Sequence, residues 1–280
     1  MIPKIIHYVW IGGNPLPEYA KNNIETWKKY NPNYEIKEWN ESNFDINVCK
    51  YAVEAYNAKK WGFVGDIIRL YALYNFGGIY LDVDVECVKS FDSLLDNHAV
   101  LGFEGKYYFS NAILMSEKNN LLFKYFIDQY NNRSFKSDDK YLWGCGVDLT
   151  SAPAIMTTAF MKFFNIHFIK NGSYKFSNVT VYPQDYLSPN VFDCPDDHYK
   201  SITNNTITIH HFEGSWKAKH PLMLTKLQKL IINIRFVIAF KMTKILGNKK
   251  FLKLEQSTYE LTHRYDKINR EKKKKNVSAW

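Results

Sequence analysis

The sequence predicts an α/β domain whose chemistry gathers at strand ends. Short β-branched and aromatic runs alternate with runs of helical spacing from residue 5 to residue 211. Glycine pairs punctuate that alternation at Gly12-Gly13 and Gly77-Gly78. At residues 76–85, FGGIYLDVDV, two glycines end a helix, an apolar strand follows, and two carboxylates emerge where it finishes. Ligands of open α/β sheets bind at such strand ends.

Taken in order, residues 5–10 read as a strand running into Gly12 and Gly13, and residues 17–30 as a helix opened by proline. Residues 34–39 alternate as a short strand. Residues 63–76 place Phe63, Ile67, Leu70, Tyr71 and Tyr74 at helical spacing before Gly77 stops the helix. A buried strand is predicted at 79–83, further strands at 99–103 and 112–115, helices at 121–130 and 155–164, and late strands at 179–182 and 207–211. From Pro221 the pattern changes: Leu222, Leu224, Leu227, Leu230, Ile231 and Ile234 interleave with Lys226, Lys229 and Arg235, which predicts a basic amphipathic helix. Its charges fall too often for a bilayer span of about 20 apolar residues. Two placements stay open, flat in a membrane interface or packed on the sheet with a cationic outer face. The chain divides into a domain over residues 1–220 and a helical extension over residues 221–280.

With 280 residues, 46% of them hydrophobic, the chain buries a sizeable core in one main domain, which excludes a disordered chain. Its 20 Tyr, 19 Phe and 7 Trp suit both core packing and a cleft that stacks flat rings. Cys49, Cys87, Cys145 and Cys194 form no CxxC pair, so neither a zinc site nor a short-loop disulfide framework is indicated, and a reducing cytosol fits best. Residues 1–13 show no basic and then apolar leader, so no secretory signal is expected. The net charge of +9 is largely C-terminal, with Lys272 to Lys275 as a run, and no nucleic-acid module accompanies it. Nucleic acid is therefore not an expected partner.

Asp82 and Asp84 carry the most specific chemistry. Alternation along a strand turns both to one side while Val83 points into the core. Two carboxylates so close repel unless a cation joins them. A hard divalent ion, held by one or two carboxylates and completed by substrate phosphates, is the known solution for diphosphate chemistry.

The runs IPKIIHYVWIGG at 2–13, VGDIIRLYALYNFGGIYLDVDV at 64–85 and HHFEGSW at 210–216 together resemble glycosyltransferase family 32, the DXD sugar-binding transferases that include bacterial capsular polysaccharide enzymes. A more distant similarity is to the glucosyltransferase domains of large clostridial toxins. The resemblance is dense over residues 2–103, thins through the middle and returns at His210. It implies a GT-A, Rossmann-like nucleotide-binding fold, bound Mn²⁺ or Mg²⁺, a nucleotide-sugar donor with a UDP-sugar favoured, and retention of the anomeric configuration.

Carried over residue by residue, Trp10 would stack on the donor base, and Gly12 would let the nucleotide approach the backbone. Asp66 and Arg69, one turn apart, share a helix face. The resemblance makes Asp66 an acceptor for sugar hydroxyls and Arg69 a counter-charge near the donor. Asn111 resembles a sugar-contacting asparagine. Either His210 or His211 suits the metal shell; alternation puts His211 with Ile207 and Ile209 on one face and favours His211, and an imidazole favours Mn²⁺ over Mg²⁺. Gly214 would admit the phosphate, Trp216 would donate its indole N–H, and Lys217 would balance leaving-group charge in a loop over the donor. Asp148 lies where the family shows a Thr-Gly-Pro turn and this chain has Ser151-Ala152-Pro153, while Gln184 and Asp185 either line an acceptor pocket or make a polar turn.

The catalytic set expected is thus Asp66, Arg69, Asp82, Asp84 and Lys217, with metal ligands Asp82, Asp84 and His211. The basic C-terminus suggests a carbohydrate or lipid-linked acceptor and a cytoplasmic enzyme peripheral on the inner face of the cell membrane, in capsule or surface polysaccharide assembly. The alternatives are a toxin-like effector that glycosylates a protein and a non-catalytic membrane adaptor.

Overall fold

Strand β1 (Ile5–Val9) forms the inner half of a parallel pair with β2 (Glu35–Trp39), in the computed structural model that describes residues 1–136, 148, 150–189 and 202–213. Between them runs α1 (Glu18–Tyr30), with Pro17 as its N-cap residue. Helices α2 (Lys50–Asn57) and α3 (Trp61–Phe76) lead into β3 (Gly78–Leu81), which pairs with the other side of β1, again in parallel. Then follow β4 (Val85–Cys87), β5 (Ala99–Glu104), β6 (Tyr108–Phe109), β7 (Ile113–Ser116), α4 (Leu121–Asn131), α5 (Ala152–Phe163), β8 (Tyr174–Phe176), β9 (Val179–Tyr182), α6 (Gln184–Leu187) and β10 (Thr208–His210). All of these belong to one compact unit; Lys136, Asp148 and Thr150 belong to a second.

The main sheet runs β2-β1-β3-β7-β5-β9-β8, with β6 paired to β5. Strands β1, β2, β3, β5 and β9 share one direction, whereas β7 and β8 are reversed. The C-terminal ends of β1, β3, β5 and β9 therefore lie along one edge. That edge carries Trp10, Asp82, Glu104 and Gln184. A second small sheet pairs β10 antiparallel to β4. This is the α/β class expected from the sequence, with β7 making the sheet mixed.

The sharp passage from α3 into β3 explains the glycine pair. Gly77 and Gly78 take φ of 70° and 104°, and a Cβ at Gly78 would sit 2.5 Å from the Ile5 carbonyl oxygen. His7, fully buried on β1, accepts from the Trp39 indole N–H at Nδ1 (3.1 Å) and donates from Nε2 to the Gly77 carbonyl (2.7 Å). Burial pushes its pKa down to about 4, so the neutral ring ties β1, β2 and this turn together.

Helix α3 packs between α2, α4 and β1, and nine of its residues from Val64 to Leu73 are buried. A helix enclosed on so many sides is apolar nearly all round. Asp66 and Arg69 are the exceptions, and they are buried with the rest. Helix α5 starts earlier than the predicted 155, because Pro153 is well suited to a first turn. The 221–280 extension lies outside the described residues; among those described, no helix is long and apolar enough to cross a membrane.

Candidate active site

The DVD segment sits on a tight turn. Asp82, Val83 and Asp84 connect β3 to β4, and the Val85 N–H closes the turn on the Asp82 carbonyl at 3.0 Å. The two carboxylates converge through this turn and not through strand alternation, as the sequence reading had it; Val83 does point into the core as expected. Helix α1 grips the turn from below: Asn23 Nδ2 donates to the Val83 carbonyl (2.9 Å), Trp27 Nε1 to the Val85 carbonyl (2.7 Å), and Thr26 Oγ1 accepts from the Cys87 N–H (3.0 Å). Buried carbonyls left unpaired would cost about 1–3 kcal/mol each, so these side chains fix where the carboxylates stand.

Asp82 is held on both oxygens. Tyr80 donates its hydroxyl to Oδ1 at 2.6 Å, and Arg69 Nη1 lies 3.3 Å from Oδ1 and 3.5 Å from Oδ2. The guanidinium stacks over the Tyr80 ring at 4.6 Å. It also donates from Nε to the Gly65 carbonyl (3.2 Å) and from Nη1 to the Asn111 carbonyl (2.5 Å), and its Nη2 meets Asp66 Oδ1 at 3.1 Å. Asn111 Nδ2 donates to the same Asp66 oxygen at 3.0 Å. Arg69 is thus the hub that gathers Asp66, Asp82 and Asn111, its charge balanced by two carboxylates; the sequence reading had offered that charge to the donor. Burial pushes the Asp66 carboxyl up to about 6, against the pull of Arg69.

Asp84 is held by a different set of partners. Its Oδ1 lies 3.3 Å from His210 Nε2, and its Oδ2 accepts the Glu213 N–H at 3.0 Å. Burial alone would raise this carboxyl, but His210 and the Glu213 N–H hold it below the usual carboxylate range. Burial would likewise lower the His210 pKa, and Asp84, Glu104 and Asp82 together raise it.

Where the sequence reading chose His211 as the ligand, the structure brings His210 to the two carboxylates. Ile207, just before β10, and Ile209 on it are both buried, and the neighbouring His210 turns its ring toward Asp84 of the DVD turn. His211 falls beyond the strand, where its Nε2 meets Glu86 Oε2 at 3.0 Å. The alternation was sound, but the face shared with the isoleucines is not the one that meets the carboxylates. Asp82, Asp84 and His210 offer ligand atoms within 4.8 Å of one another. Two hard carboxylates and one imidazole suit a divalent ion of the Mn²⁺ or Mg²⁺ type.

Trp10 and Gly12 stand at the end of β1, beside β3. Trp10 donates its indole N–H to the Asn14 carbonyl (2.6 Å), and Gly12, at φ 96°, donates its N–H to Glu41 Oε1 (2.7 Å). A Cβ on Gly12 would meet Trp61 Nε1 at 2.6 Å, so only glycine lets the loop lie against that indole. Gly214, Trp216 and Lys217 lie outside the described residues. Asp148, in the second unit, accepts the N–H and hydroxyl of Thr150 in a local turn. Asp185 accepts from Thr203 and Asn205, which makes it part of a polar turn, and the Gln184 N–H is taken by Asn171 Oδ1. Tyr80, Asn23, Trp27 and Glu104 were missed in the sequence. Tyr80 had a usable signal, since a residue two before Asp82 shares its side of the strand; the others depend on long-range packing.

Residues 17–101 match the family described as glycosyltransferase sugar-binding region containing DXD motif, a match over less than half of the chain. Inositol phosphoceramide mannosyltransferase 3 of Schizosaccharomyces pombe is 32% identical over 102 residues, 34% of this chain and 27% of that protein. Lactosylceramide 4-alpha-galactosyltransferase of Rattus norvegicus is 25% identical over 169 residues, 56% of this chain and 42% of that protein. The solved PaToxG glycosyltransferase is 22% identical with a TM-score of 0.45, over 59% of this chain and 70% of that one. This chain therefore spans less than half the length of the two curated relatives. Its residues 17–101, which hold Asp66, Arg69, Asp82 and Asp84, are similar to the DXD-containing sugar-binding region of glycosyltransferases.

Proposed function

We propose that the chain is a metal-dependent glycosyltransferase that moves a sugar from a nucleotide diphosphate to a hydroxyl of a lipid-borne acceptor. The observation that carries the reading is the convergence of Asp82, Asp84 and His210 at the sheet edge where Trp10 and Gly12 also stand. A UDP-sugar is the favoured donor and Mn²⁺ the favoured ion, the imidazole tilting the choice away from Mg²⁺. The cation supplies Lewis-acid neutralisation of the charge that grows on the leaving diphosphate.

This chain's own residues do the positioning. Tyr80 and Arg69 fix Asp82, α1 fixes the turn, and His210 sits beside Asp84. Both contacts of Asp66 fall on Oδ1, so Oδ2 is the oxygen left to accept a sugar hydroxyl. With Asp66, Asp82 and Asp84 all engaged by cationic or N–H groups, no carboxylate among them is set up as an attacking nucleophile. That favours retention with the leaving phosphate taking the acceptor proton on the same face, over a double displacement. In this proposal Gly214, Trp216 and Lys217, outside the described residues, also serve the donor.

The named substrates of the two curated relatives are ceramide lipids, which supports a glycolipid or lipid-linked oligosaccharide as acceptor here. The basic 221–280 segment fits the same picture, as a peripheral contact with the cytoplasmic face of a membrane where surface glycans are assembled. The test is a matrix of UDP- and GDP-sugars against glycosylceramide and lipid-linked oligosaccharide acceptors, with products read by mass spectrometry. Transfer to one lipid acceptor that needs Mn²⁺ supports the reading. Modification of added protein with no lipid turned over would replace it by the protein-directed alternative.

A further inference from the structure

Strand β5 is apolar and buried from Ala99 to Phe103, and then ends on a carboxylate, Glu104. A carboxylate at the end of such a strand is costly unless it is engaged. Ser110 donates its hydroxyl to Glu104 Oε2 at 3.0 Å, and its own oxygen accepts the Ala112 N–H at 3.3 Å. Ser110 is itself fully buried, and its N–H is fixed on the Gly102 carbonyl at 2.8 Å. The Ala112 carbonyl in turn accepts the Asp82 N–H at 2.9 Å. The oxygen so oriented, Oε2, faces His210 Nδ1 at 3.8 Å, while Nε2 of the same ring faces Asp84. Phe212 packs over the imidazole with centroids 3.9 Å apart, which limits its rotation.

We infer that Glu104 is a positioning residue for the metal site: its Ser110-anchored carboxylate faces Nδ1 of His210 and is the acceptor for the N–H of that nitrogen when Nε2 holds the ion. The inference rests on the metal-dependent reading above. An imidazole must be neutral to ligate, so its one proton has to sit on the nitrogen away from the ion. A carboxylate facing that nitrogen fixes both tautomer and ring plane and makes the ligand more basic. At 3.8 Å the pair is longer than a direct hydrogen bond.

The test uses the full chain with metal alone: free Mn²⁺ is followed by electron paramagnetic resonance, and the His210 tautomer by ¹⁵N NMR with diamagnetic Mg²⁺ in place of the paramagnetic Mn²⁺. Glu104→Gln keeps the size and the Ser110 hydrogen bond, and is expected to weaken Mn²⁺ binding roughly 10- to 100-fold while the His210 ring loses its single Nδ1–H tautomer. Ser110→Ala, which frees the carboxylate to rotate, is expected to give a smaller loss in the same direction. If wild type binds Mn²⁺, His210→Ala does not, and Glu104→Gln matches wild type in affinity and tautomer, the inference about Glu104 is overturned and the metal site stands. If wild type and His210→Ala bind Mn²⁺ equally weakly, the metal reading falls and takes this inference with it.

Discussion

Replacing Arg69 by Met tests whether its charge serves the protein's own carboxylates. In the structure the guanidinium, only 5% exposed, bridges Asp66 and Asp82 and caps the Asn111 and Gly65 carbonyls. Met keeps much of the apolar volume over the Tyr80 ring but leaves two carboxylates without their cation. Breaking a buried pair in this way costs about 3–5 kcal/mol. At roughly 2–4 °C per kcal/mol for a chain of this size, Tm should fall on the order of 10 °C. Thermal unfolding read by circular dichroism measures this directly. Adding Asp66→Asn to Arg69→Met removes one of the stranded charges, so the double variant should be less destabilised than the sum of the singles, by about 1–3 kcal/mol. An unchanged Tm in Arg69→Met, or strict additivity with Asp66→Asn, would refute the hub role and return Arg69 to the donor.

The other expectations follow from the same geometry. Asp66 titrates near 6 when folded and near 3.8 otherwise, so between those values the folded chain holds a proton that the unfolded chain has released. Its contribution to stability is therefore lost as pH rises from about 4 to 6, and Asp66→Asn should flatten Tm against pH over that window; an identical profile in the two proteins would count against it. Isothermal titration with Mn²⁺ should find binding abolished in His210→Ala and kept within a few-fold in His211→Ala, the reverse ranking reinstating His211. Gly12→Ala brings a Cβ into Trp61 at φ 96°, so donor affinity should fall at least 10-fold; unchanged affinity would separate this loop from the donor.

The regular elements were legible because each is written locally. The alternation of residues 34–39 and the Gly77-Gly78 stop left little room for another reading, and the predicted strand at 179–182 matches β9. Helix α2 was missed because Lys50–Asn57 is short and follows a turn with no strong signal of its own. Strand β4 went unread because the DVD segment looks like the continuation of β3, and only the hydrogen bond from Val85 to Asp82 shows that the chain turns there. In the site, the residue types were legible and their partners were not. Asp66, Arg69, Asp82 and Asn111 do assemble, but whether Arg69 faces inward or toward a ligand depends on the burial of α3 from all sides. The choice between His210 and His211 was open for a similar reason: alternation gives two faces and does not say which one meets a turn brought from elsewhere in the chain.

The central claim is that Asp82, Asp84 and His210 hold a divalent ion onto which a nucleotide sugar binds. The most direct measurement is calorimetric titration of UDP- and GDP-sugars into wild type and Asp84→Asn, each with and without Mn²⁺. The account predicts that one donor binds wild type tightly only with Mn²⁺, and that Asp84→Asn loses this metal-dependent binding. Failure of every donor to bind wild type in the presence of Mn²⁺, or equal binding by Asp84→Asn, would contradict it.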